Sequence, residues 1–243
     1  MKNFEPKLFR KPLQKILRGI GLLCFVALAS AAARADEVTV AGTTSGSFTS
    51  VGGTNTGTTL MGLSYVNSSF NATTASGSRT LNGAAASPGG TNFNNLGSFY
   101  IQPPPDPTVN NYNGSTFTLI VNFDAPTGIM NGQTGTFTAA LSGIVERVGP
   151  TQSYSVNVRF DNPIQTFSFT RADGTTGQFT LTVNDVLGLT PNFARAITGT
   201  ISNASETPAP VPEPATVILL GTGLAGLLAR TRQRRKGRRR DVG

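Results

Sequence analysis

Between residues 36 and 205, apolar side chains recur at every second position rather than every third or fourth. In STFTLIVNF, Phe117, Leu119, Val121 and Phe123 fall on one face of an extended strand. SYSVNVRF repeats the pattern with Tyr154, Val156, Val158 and Phe160. Phe167 and Phe169, then Phe179, Leu181 and Val183, flank RADGTTGQ, where Asp173-Gly174 and Gly177 are turn residues. Val38 and Val40, Phe137 and Leu141, and Ile197 and Ile201 mark further strands. A period of two belongs to strands with one buried face. Many such strands separated by Gly and Asn turns predict an all-β domain, an antiparallel β-sandwich with a jelly roll among the topologies that fit.

The pattern weakens in three places. Residues 68–95 are small and polar with few apolar anchors and read as less ordered. IQPPPDPTVNNYNG, residues 101–114, reads as a loop because its prolines cannot donate to a ladder. ETPAPVPEP, residues 206–214, reads as a Pro-rich linker.

Both ends break with the alternation altogether. Lys2, Lys7, Arg10, Lys11, Lys15 and Arg18 precede an apolar core, GIGLLCFVALAS, and Ala33-Arg34-Ala35 supplies a small-x-small cleavage site. Residues 1–35 therefore read as a secretory signal peptide for signal peptidase. At the other end, residues 215–229 form an uncharged apolar run, and residues 230–243 carry eight basic side chains. The run is short for a bilayer span of about 20 residues, yet snorkelling arginines or local thinning accommodate it. Arginines abutting an apolar segment stay on the cytoplasmic side, which places the preceding chain outside. GTGLAG, Gly221 to Gly226, fits G-x-G-x-x-G, but no strand–helix–strand unit or downstream acid surrounds it, so a dinucleotide site is excluded.

Removing these ends changes the charge. Of 20 basic residues only Arg79, Arg147, Arg159, Arg171 and Arg195 lie in the body, against nine acids from Asp36 to Glu206. The exported part is mildly acidic and is not expected to bind nucleic acid. It spans about 170 residues, enough for one domain with a core.

The chain has no histidine, and its one cysteine, Cys24, lies in the signal peptide. Catalytic triads and zinc sites built on imidazole or thiolate are excluded, and no enzyme activity or cofactor is expected. A carboxylate pair for glycoside hydrolysis remains formally open among Asp106, Asp124, Glu146, Asp161, Asp173 and Asp185. Calcium could use Asp124, Asp161, Asn162 and Asp185, though no stretch matches a calcium loop. For a sugar ligand, Tyr100 and Tyr112 flanking the proline loop are the one plausible aromatic pair in a chain without Trp; pinning that loop is their plainer role. Thr-x-Thr pairs at residues 54–56, 116–118, 136–138 and 198–200 raise ice binding as a further reading, but alternation alone produces them, and no fixed repeat stacks them. Asn67, Asn71, Asn113 and Asn203 head glycosylation sequons.

The order VPEP, short apolar helix and arginine cluster closely resembles the PEP-CTERM sorting signal of Gram-negative bacteria, with Val211, Pro212, Glu213 and Pro214 as the motif. The resemblance covers residues 211–243 only. It implies processing by exosortase, a membrane protease-transpeptidase, after transient anchoring in the inner membrane. The chain is accordingly expected to be a cell-surface or extracellular biofilm-matrix protein without catalysis. The alternatives are a module that binds extracellular polysaccharide, an ice-binding protein or a secreted polysaccharide hydrolase.

Overall fold

The structure is a computed structural model that describes residues 37–148, 151–209 and 221–224, with residues 148 and 151–154 described through their backbone alone. The signal peptide, its Ala33 and Ala35 cleavage site, and the Val211–Pro214 motif lie outside the described residues. Described residues up to Pro208 belong to one compact unit and those from Ala209 to a second. Of the expected apolar helix, the described part, residues 221–224, is helical and exposed. Among the described residues no helix is long and apolar enough to cross a membrane.

Among the described residues of the first unit the regular elements are strands alone. The first are β1 (Thr39–Thr49), β2 (Asn55–Gly57), β3 (Thr59–Leu60), β4 (Leu63–Val66), β5 (Ser68–Thr73) and β6 (Arg79–Leu81). Next are β7 (Asn92–Phe93), β8 (Ser98–Ile101), β9 (Thr108–Asn111), β10 (Thr116–Ala125), β11 (Thr134–Val148) and β12 (Thr151–Phe160). The last are β13 (Ile164–Thr170), β14 (Thr176–Val183), β15 (Val186–Leu189), β16 (Arg195–Ala196) and β17 (Gly199–Thr207).

Nine of them form one large sheet in the order β15-β12-β11-β10-β1-β5-β7, with β2 also on β1 and β9 also on β11. Two four-stranded sheets, β13-β14-β17-β6 and β16-β8-β4-β3, complete the fold. Pairing is antiparallel throughout except between β5 and β7.

Alternation decides which face is inside. Along β10, Phe117, Leu119, Val121 and Phe123 are buried while Thr116, Asn122 and Asp124 are exposed. Phe117 meets Phe48 of β1, Tyr65 of β4 and Phe99 of β8 at ring separations of 4.9, 5.1 and 4.9 Å. Six residues along, Phe123 meets Phe167 of β13 at 4.8 Å and Phe179 of β14 at 5.3 Å. The same face of β10 therefore packs on both small sheets, which together cover the large one as in a sandwich. The pairing of β8 with β16 continues past the strand ends, where the Leu96 N–H donates to the Ile197 carbonyl at 2.8 Å, and the chain then runs directly into β17.

Three sequence expectations need correction. Residues 68–95 contain β5, β6 and β7 and are held by buried polar side chains as well as by the few apolar ones, Phe70, Ala72 and Leu81. Residues 101–114 are not one loop: Ile101 ends β8, and β9 pairs with β11 from Arg147↔Thr108 to Ile144↔Asn111. The final strand also runs to Thr207, so Glu206 belongs to the sheet and not to the linker.

Candidate functional site

Tyr112 does not offer a face to any ligand. It is wholly buried, and its hydroxyl donates to the Met61 carbonyl at 2.6 Å. Burial pushes that hydroxyl's pKa up to about 12. Asn110 Nδ2 donates to the same carbonyl at 2.8 Å, so two side chains clamp the Met61-Gly62 turn between β3 and β4. Met61 sits there at φ 45°, a left-handed conformation unusual for a non-glycine residue. The aromatic pair with Tyr100 is thereby ruled out as a stacking platform, because one ring is core.

Tyr100 is held differently. It is half-buried on β8, and its hydroxyl donates to Asn192 Oδ1 at 3.4 Å. The Asn192 N–H donates to the Ile101 carbonyl at 3.0 Å, which ties the turn after Pro191 to the end of β8. Phe193, next in sequence, is 68% exposed. Alternation could not reveal this residue, since it lies outside any strand.

Two of the acidic side chains serve the backbone. Asp173 Oδ1 accepts from the Thr175 N–H at 2.9 Å, and that bond holds its carboxyl below the usual carboxylate range. Asp185 Oδ1 accepts from the Phe160 N–H at 2.9 Å. Asn162 Oδ1 accepts from the Thr138 N–H at 2.7 Å, beside exposed Asp161. Among the described residues no group of three or more His, Cys, Asp or Glu gathers as a metal would need.

A polar cluster that the sequence did not signal lies inside the fold. Asn92 Nδ2 lies within donating distance of the Val66 and Asn67 carbonyls and Ser98 Oγ, at 3.0, 3.1 and 3.0 Å, and its Oδ1 accepts from the Ala86 N–H at 2.8 Å. Asn95 Nδ2 reaches the Gly83 and Ala84 carbonyls at 3.1 and 2.8 Å. Both asparagines are buried and satisfied, so the cluster is a fastening for residues 83–86.

Threonines do line the outer face of the large sheet, at Thr116 and Thr118 of β10 and Thr136 and Thr138 of β11. Their rows are mixed. Thr118 stands between Ser47 and Thr138, but Ile120 stands between Ser45 and Thr136, and Thr116 faces Ala140.

The last strand brings the fold to the sorting signal. β17 pairs with β14 through Ser205↔Gln178, Glu206↔Gly177 and Thr207↔Thr176. The Glu206 carboxylate accepts from both terminal nitrogens of Arg171, one of them at 3.0 Å. The Arg171 guanidinium also lies 5.3 Å from the centre of the Phe169 ring. Such a fork-to-fork pair is stronger and better oriented than a single contact.

No curated protein and no solved structure matches the chain. One family model does, over residues 210–235, beginning three residues beyond β17 and taking in Val211, Pro212, Glu213, Pro214, the apolar run and the first arginines. The chain thus carries the PEP-CTERM protein-sorting motif, the mark of an exported protein directed to exosortase at the membrane.

Proposed function

We propose that this is a non-catalytic cell-surface or extracellular-matrix protein of a Gram-negative bacterium, delivered by its two ends and working through its β-sandwich. Signal peptidase removes residues 1–35 in this reading, the apolar run anchors the chain briefly, and exosortase takes the tail. The observation that carries the proposal is the sorting motif beginning three residues after a folded, mildly acidic domain. Terminal sequencing of the mature protein from cells with exosortase is expected to find an N-terminus at Asp36 and no residues beyond the motif. Cells without exosortase are expected to retain the tail. A mature chain that still ends at Gly243 in both cells would refute the proposal.

A second reading is favoured by the exposed Phe193 ring next to Asn192, the partner of the half-buried Tyr100. Aromatic faces flanked by amides suit the apolar faces and hydroxyls of a sugar. The polysaccharide module would then bind through Tyr100, Asn192 and Phe193 rather than through Tyr112. A glycan array probed with the intact chain is expected to give signal that Phe193→Ala removes; a blank array sinks this reading.

A further inference from the structure

We propose that Arg171 and Glu206 form a latch on the last strand, and that release of this latch governs how readily the sorting motif is processed. The inference rests on residues 210–235 acting as the exosortase-read signal described above.

β17 is held unevenly. Through Gly199, Thr200 and Ile201 it lies between β14 and β6, and the Ala204 N–H still donates to the Gly77 carbonyl at 3.0 Å. Beyond Ala204 its paired neighbour is β14 alone, through Ser205, Glu206 and Thr207. A strand end with one neighbour is the part of a sheet that opens at least cost. The bidentate pair sits on this segment, with the Glu206 side chain only 13% exposed and Arg171 at 30%.

Arg171 is itself set in place by a tight turn. Its N–H donates to the Thr175 carbonyl at 2.8 Å, and its carbonyl accepts from the Gly174 N–H at 2.9 Å. Gly177 allows the close approach of β17, because a Cβ there would strike the Ser205 carbonyl oxygen and the Phe169 ring. The guanidinium over Phe169, the turn beneath it and the carboxylate on β17 make one fastening at the domain's final residues.

Its position gives it a consequence. Only residues 208–210 separate Thr207 from Val211. Three residues reach at most about 10 Å even when fully extended. Proteases commonly grip substrate as an added strand, using main-chain donors and acceptors. In residues 205–207 the main-chain groups on the β14 side are engaged while the latch is closed. Opening the latch lengthens the segment available upstream of the motif.

The test follows conversion of the full-length chain to its processed form by pulse-chase in cells containing exosortase. Arg171→Ala and Glu206→Gln are each expected to raise the conversion rate a few-fold. Six Gly/Ser residues inserted after Pro208 are expected to do the same. Arg171→Ala combined with the insertion should be no faster than the insertion alone, a non-additivity that simple destabilisation would not produce. If Arg171→Ala lowers the melting temperature of the purified chain appreciably, Glu206→Gln, which keeps a hydrogen bond, carries the test. Conversion that is unchanged or slower in Glu206→Gln, or unchanged by the insertion, overturns the latch. A wild-type chain that is never converted overturns the sorting reading instead.

Discussion

Tyr112 shows how a single side chain can mislead when read from sequence and still make a sharp prediction. Its neighbours 103–107 are rich in proline and its spacing suits a surface, yet its ring is core and its hydroxyl secures the Met61 carbonyl. Nothing local in NNYNG announces that contact, which joins residues 51 positions apart. Because burial raises the hydroxyl's pKa to about 12, the folded state keeps a proton that the unfolded chain sheds near the ordinary tyrosine value of about 10. The associated stability is complete below pH ~10 and is lost as pH rises toward ~12, at up to about 1.4 kcal/mol per pH unit. Denaturant titrations at successive alkaline pH values should show this slope, and Tyr112→Phe should remove its share. At neutral pH the same variant should cost about 1 kcal/mol, since Asn110 still satisfies the Met61 carbonyl. Asp173 and Gly174 are the opposite case. The dipeptide is legible as a turn, and the structure places Gly174 at φ 84° with Asp173 capping the Thr175 N–H.

At the scale of elements, legibility followed the source of the holding force. β10, β13 and β14 bury alternating Phe, Leu and Val, and hydrophobic alternation finds them directly. The segment 68–95 is fastened by Asn92, Asn95, Ser98 and Thr44, whose bonds depend on partners distant in sequence. Polar composition therefore looked like disorder when it was structure. Asn92→Ala removes one amide and leaves several buried carbonyls and an N–H without it, at an expected cost of about 3 kcal/mol. Urea unfolding should read that loss, and hydrogen exchange should accelerate at Ala86, whose N–H loses its acceptor. A variant as stable as the parent would show that water replaces the side chain.

For the molecule as a whole, the sandwich was legible but its partition was not. No sequence period tells that β10 would pack on two separate small sheets, because both use the same alternating face. Phe117 sits where β1, β4, β8 and β10 meet, and Phe117→Ala is expected to cost about 3–5 kcal/mol, measurable by thermal or urea unfolding. The order of strands has a further implication for a polypeptide that leaves the cell amino end first. β1, the earliest strand, is interior to the large sheet and waits for β10; β17, the latest, is interior to a small sheet and bridges β14 to β6. The large sheet has all its strands once Leu189 has emerged, but the small sheet built around β17 cannot close over it until Thr207 follows, so completion of the sandwich coincides with arrival of the sorting signal. A secreted version ending before Gly199 should remain protease-sensitive, whereas one ending at Pro208 should resist digestion.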